Sequence, residues 1–134
     1  MPLTTIDIRT TYPPEVEISI IEAVQNALLD TLQLPPDDRN VMLHVNAPHR
    51  MIVSDKLSQP HKRTVVRVAM FPGRSLDATR RLYQAIVKNL EGCAAGIPRD
   101  HVLIFLQEEA FEHWGIRGGQ AACDVDLGFS TLVQ

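Results

Sequence analysis

The chain has 134 residues, of which 45% are apolar and 22% charged, and its formal net charge is −3. That length fits one domain able to bury a core without staples, and that composition excludes a disordered chain. No apolar run approaches the ~20 residues that a bilayer requires, and the basic residues are too scattered for a nucleic-acid footprint.

Residues 1–7 carry no basic region and no apolar stretch, so no secretion signal is expected. Residues 4–9 read as a short strand with Ile6 and Ile8 on one face. Pro13-Pro14-Glu15 opens a helix, because proline suits a first turn and Glu15 and Glu17 suit its positive end. Val16, Ile20, Ala23, Val24, Ala27, Leu28, Thr31 and Leu32 recur at helical spacing. Pro35-Pro36-Asp37-Asp38 stops that helix, and residues 41–45 (VMLHV) form the next strand. Residues 47–62 hold Pro48, Pro60 and mixed polar side chains, and read as a hairpin or long loop.

The second half repeats the order. Residues 64–71 (TVVRVAMF) read as a strand and Pro72-Gly73-Arg74-Ser75 as a turn, with Ser75 or Asp77 as N-cap. The following helix places Leu82, Tyr83, Ile86, Val87 and Leu90 on its buried side. Gly96-Ile97-Pro98 ends the linking segment, and residues 102–106 (VLIFL) form a continuous apolar strand. Pro36-x-Asp38 matches Pro98-x-Asp100 at an offset of 98 − 36 = 62 residues, which lays residues 5–9 on residues 67–71. The fold class is therefore α+β: two tandem β-α-β units, over approximately 2–46 and 63–108, followed by a C-terminal hairpin or tail over 109–134. Right-handed crossovers make each strand pair parallel and put both helices on one face of a four-stranded sheet. The strand around Arg67 is apolar on both faces, and such strands expect cover on both sides. Cover from other subunits, and hence oligomerisation, follows from the sequence.

Several side chains are candidates for chemistry. Proline as second residue is common without a catalytic reason, yet removal of Met1 would leave Pro2 as a secondary amine fixed to the first strand. An α-amino group titrates near ~8 in model peptides, and apolar burial or a nearby cation lowers that value toward the range where a base works best. Arg74, at a strand end before a helix, is either a solvated loop arginine or a fork for a carboxylate. Arg67, inside a strand, is either an interface ion-pair residue or part of the site. Asp38 is matched by Asp100 in the repeat, which favours a turn-capping role with which any catalytic role must coexist. Residues 110–120 (AFEHWGIRGGQ) hold the only tryptophan. Trp114 either walls an apolar pocket, with Arg117 adding a cation, or belongs to a hairpin packed on a neighbouring subunit. The five histidines show no metal-ligand spacing, and no GxSxG elbow, Walker or dinucleotide motif is present. Cys93 and Cys123 form neither a zinc pattern nor a disulfide framework, which fits a reduced cytoplasm.

Taken together, Met1-Pro2-Leu3, Leu34-Pro35-Pro36-Asp37-Asp38-Arg39, Gly73-Arg74-Ser75, Leu82-Tyr83-x-x-Ile86, Ile97-Pro98-x-Asp100-x-Val102 and Trp114-Gly115-x-x-Gly118 resemble the tautomerase superfamily. The resemblance is closest to its longer-chain branch, which includes malonate semialdehyde decarboxylase, and spans nearly the whole chain as a single domain, 1–134. It implies a homotrimer when each chain carries two units, an amino-terminal proline as catalytic group, an arginine that binds the substrate carboxylate, and no cofactor. By position Pro2 is that proline and Arg74 that arginine. Asp38 falls where the decarboxylase branch has an aspartate that orients or activates the reacting group, and Trp114 falls in the segment that walls the pocket. Some decarboxylases of the branch carry an Arg-x-Arg pair, whereas here the first position is Pro72, so Arg67 or Arg117 must supply any second charge. The resemblance therefore implies a tautomerase of 2-oxo or enol carboxylates. The alternatives are a decarboxylase- or hydratase-like lyase and, from another class, a catalytically silent trimeric binding protein.

Overall fold

The computed structural model describes residues 2–134; Met1, and with it the expected loss of that residue, lies outside the described residues. Strand β1 (Leu3–Ile8) leads into helix α1 (Pro14–Leu32) and strand β2 (Val41–Val45). Strand β3 (Thr64–Met70), helix α2 (Leu76–Gly92) and strand β4 (Val102–Glu108) repeat that order. A two-residue ribbon, β5 (Gly115–Ile116) with β6 (Gln120–Ala121), follows. The strand order is β2-β1-β3-β4, with β1–β2 and β3–β4 parallel and β1–β3 antiparallel. The two β-α-β units anticipated from the sequence are thus both present, joined edge to edge through β1 and β3.

The join is a pseudo-twofold axis. Thr5 pairs with Arg67, and these two residues are separated by the repeat offset, 67 − 5 = 62. The segment between the units forms no hairpin. It runs as a loop with short 3-10 turns at Pro48–Arg50 and Pro60–Lys62, because each proline starts a turn but cannot extend a ladder.

Alternation along the strands sorts the faces. Thr4, Ile6 and Ile8 of β1 and Thr64, Val66, Val68 and Met70 of β3 point to the helices and are buried. They meet Ile20, Val24, Leu28 and Leu32 of α1 and Leu82, Ile86 and Leu90 of α2. Each such side chain contributes roughly 1.5–3 kcal/mol on burial. Ser75 caps α2, its hydroxyl accepting from the Ala78 N–H at 3.1 Å. The opposite face is open and carries large apolar side chains at Leu3, Met42, Leu103 and Phe105. A second, smaller core forms beyond the sheet end, where Phe71 stacks on Phe111 at 4.9 Å and meets Trp114 edge-on at 5.0 Å. Among the described residues no helix is long and apolar enough to cross a membrane.

Candidate active site

Three segments converge at one end of the sheet. Pro2 precedes β1 on the side of Thr4 and is buried. On one flank Thr4 donates its backbone N–H to the Asn40 carbonyl (2.9 Å) and pairs with Val41, which places the 35–40 turn beside the start of β1. On the other flank Leu3 pairs with Ala69, next to the end of β3, where Phe71-Pro72-Gly73-Arg74 begins.

Arg74 is only 7% exposed. Its Nη1 donates to the Phe71 carbonyl at 2.9 Å, but Nε and Nη2 are buried and find no hydrogen-bond partner among the described residues. Buried guanidinium donors are costly unless paired, so an arginine left in this state points to a ligand. Desolvation lowers the Arg74 pKa, while the negative charges of Glu108 and Asp38 work against that shift. The cation stays charged at neutral pH and stands within the field of both carboxylates. The Thr4 hydroxyl, on a side chain of 0% exposure that faces the helices, also lacks a partner among the described residues.

Asp38 is built into its turn. Its backbone N–H donates to Pro35 (3.0 Å), its carbonyl accepts from Gln25 Nε2 (2.8 Å) and its carboxylate accepts from Asn40 Nδ2 (3.1 Å). Beside it opens a cavity of about 360 Å3 lined by Asp38, Arg39, Asn40, Arg117, Leu127 and Phe129, among others. Arg117 sits at a positive φ of 47° and its guanidinium donates to the carbonyls of Asp126 and Leu127, at 2.7 and 3.2 Å. Trp114 is half-buried against Phe71, with its indole N–H on the Glu109 carbonyl at 3.2 Å. It therefore braces the residue whose carbonyl holds Arg74.

The structure thus gathers Pro2, Asp38 and Arg74 at one sheet end, sets Arg117 across a cavity from Asp38, and backs the site with Trp114. Arg67 is not brought to them. It lies exposed on the open sheet face, beside Leu3, Thr5, Phe105 and Gln107. Sequence reasoning missed Thr4, Glu108 and the aromatic floor at Phe71. The alternation from Pro2 through Thr4 to Ile6 could have exposed the first, a hydroxyl where the pattern calls for an apolar side chain. Among the described residues no cluster of His, Cys, Asp and Glu could hold a metal ion.

The family model described as "tautomerase enzyme" matches residues 38–117. The chain belongs to the tautomerase family. None of the curated proteins matches the chain. Among solved structures, FG41 malonate semialdehyde decarboxylase inhibited by 3-bromopropiolate is 26% identical; the match covers 89% of this chain and 92% of that one, with a TM-score of 0.76. A second malonate semialdehyde decarboxylase, solved in wild-type, mutant and inactivated forms for its decarboxylase and hydratase activities, is 23% identical over 92% and 99% of the two chains (TM-score 0.79). Native fused 4-OT is 18% identical over 95% and 99%, with a TM-score of 0.81. The last two likenesses show a shared fold. The ribbon and the C-terminal segment of this family member lie against the same end of the sheet as Arg74.

Proposed function

We propose that this tautomerase-family chain is a cofactor-independent tautomerase of 2-oxo or enol carboxylates. Loss of Met1 makes Pro2 a secondary amine, buried and at the same sheet end as the Arg74 cation, and burial and a neighbouring cation both favour its uncharged form. Arg74 receives the substrate carboxylate on its fork. Pro2 takes a proton from the enol oxygen or from carbon and returns it to the neighbouring carbon. The guanidinium stabilises the charge that develops toward an enolate. The observation that carries this reading is the buried Arg74 guanidinium with two donors unpartnered among the described residues. The reading also takes the chain to act as a homotrimer. The large apolar side chains exposed on the open sheet face support that assembly, as do fused 4-OT structures described as trimers.

A second reading is a lyase: the same site decarboxylates a 3-oxo acid, with protonated Pro2 polarising the carbonyl and Asp38 helping to activate water. The cavity shared by Asp38 and Arg117 supports it, and so does the 26% likeness to a malonate semialdehyde decarboxylase.

Ultraviolet assay of phenylenolpyruvate ketonisation tests the first reading. The Met1-free chain is expected to ketonise the substrate, and Pro2→Ala to lose about a hundredfold or more in kcat, the range of a positioned acid–base group. Equal rates in both chains remove the proline mechanism. Release of carbon dioxide from malonate semialdehyde with no ketonisation selects the lyase.

A further inference from the structure

Residues 131–134, outside the 38–117 span of the family match, reach the candidate site. Thr131 and Val133 are buried, Val133 to 4% exposure, whereas Leu132 between them is 72% exposed. That alternation is strand-like, and Val133 forms a parallel bridge with Arg74. The Ser75 N–H donates to the Val133 carbonyl at 2.8 Å, and the Val133 N–H donates to the Gly73 carbonyl at 3.2 Å. One tail residue therefore fastens the peptide units on both sides of Arg74. Thr131 passes so close that a Cβ on Gly73 would lie 2.7 Å from its carbonyl oxygen, and Gly73 itself has a φ of +128°. Both the approach and the dihedral demand glycine there. Arg81 of α2 holds the end of the tail through the Gln134 carbonyl.

A guanidinium with unpartnered buried donors gains by swinging to water. The bond from its Nη1 to Phe71 is its one side-chain hydrogen bond among the described residues and a weak restraint against that motion. We propose that residues 131–134 form a clasp that positions Arg74 for a carboxylate, with Thr131 and Val133 as positioning residues acting through Arg74. The proposal rests on the carboxylate-binding role given to Arg74 above. The clasp keeps the turn in one conformation and covers it from solvent, so the fork is preformed and its ligand meets no reorganisation cost.

The test compares Val133→Asp, which sets a carboxylate in the buried position, with Leu132→Asp, which adds the same charge at the exposed neighbour. Three quantities are read on the full chain: amide hydrogen exchange at Ser75, the dissociation constant of phenylpyruvate, and that of its uncharged methyl ester. Val133→Asp is expected to quicken exchange at Ser75 and to weaken phenylpyruvate about tenfold (about 1.4 kcal/mol), leaving the ester unchanged. Leu132→Asp is expected to match the wild type in all three. The KM for phenylenolpyruvate rises in parallel while kcat holds. Should Val133→Asp not fold, Val133→Ala is expected to show the same selective loss at about two- to fivefold. Faster exchange at Ser75 with unchanged acid affinity overturns the clasp, as does an equal loss for acid and ester. Wild-type protein that binds phenylpyruvate without ketonising the enol refutes the enzymatic reading alone. Wild-type protein that binds no carboxylate refutes both.

Discussion

Replacing Arg74 by methionine separates function from stability at one residue. The side chain keeps its length and apolar stem but loses the cation. In the unliganded protein the change removes two buried donors without partners, each worth about 1–3 kcal/mol of desolvation cost, and orphans one acceptor, the Phe71 carbonyl, at a similar cost. Glu108 is exposed and Asp38 half-buried with a bond from Asn40, so water and that neighbour offset most of the loss of the cation beside them. The balance is a gain of about 1–2 kcal/mol, or roughly 4–7 °C in Tm for a domain of this size. Binding changes in the opposite sense. Two charge-assisted hydrogen bonds to a carboxylate, at about 1.5 kcal/mol each, amount to about 3 kcal/mol. At about 1.4 kcal/mol per tenfold, Arg74→Met raises the KM for phenylenolpyruvate roughly a hundredfold. Calorimetry at fixed protein concentration and steady-state kinetics read the two halves. A Tm lowered by several degrees, or a KM within about threefold of the wild type, refutes the view that this cation is held for a ligand.

Two further outcomes follow from other parts of the molecule. Phe105→Glu puts a charge among Leu3, Met42 and Leu103 on the open sheet face; light scattering is expected to show a smaller particle than the wild type, and an unchanged mass counts against this face as the subunit contact. Tyr12 has its pKa raised, first by burial and then by Cys93. The native state thus holds the phenol proton longer than the unfolded chain, whose tyrosines titrate near about 10. Its contribution to stability is full below that pH and is lost as pH rises through the native value. Tyr12→Phe is expected to flatten the alkaline fall in Tm, and an identical fall in both proteins rejects the assignment.

The elements were legible because periodicity and punctuation agreed: Pro13-Pro14 opens α1 and Ser75 opens α2, and the apolar runs at 41–45, 64–70 and 102–106 are strands. Strand ends moved by a residue or two. Thus β4 runs to Glu108 in parallel register with Met70, since pairing with a neighbour extends a strand past its apolar run. The antiparallel contact between β1 and β3 was not legible, because repeat order fixes pairing within each unit and leaves the join between units open. At the site, Pro2, Asp38 and Arg74 could be picked out by position, but their environments could not. That Arg74 is sealed under a tail 57 residues further on, or that Arg67 points to the opposite face, depends on the register of two strands and on a long-range bridge.

The pseudo-twofold axis makes the two ends of the sheet comparable, and among the described residues their buried polar groups differ. The offset of 62 carries Pro2 to Thr64, Asp38 to Asp100 and Tyr12 to Arg74. At the second end the buried polar groups are engaged within the chain. His101, at 0% exposure, accepts from the Gln59 N–H at 3.1 Å and sets Nδ1 2.7 Å from the Asp100 carboxylate. Lys62 Nζ donates to the carbonyls of Ala95 and Gly96, both at 3.2 Å, and the Thr64 hydroxyl to Lys62 (3.1 Å). Among the described residues no buried side-chain donor or acceptor at that end lacks a partner, whereas Arg74 at the first end has two that do. His101→Phe therefore acts on stability alone. It leaves the Gln59 N–H unpaired, which costs about 1–3 kcal/mol, and lowers Tm by roughly 4–10 °C. The KM for phenylenolpyruvate is expected to stay within about threefold of the wild type. A selective rise in KM with little change in Tm would show instead that the second end takes part in binding, and that the duplication left two sites where the unpaired groups mark one.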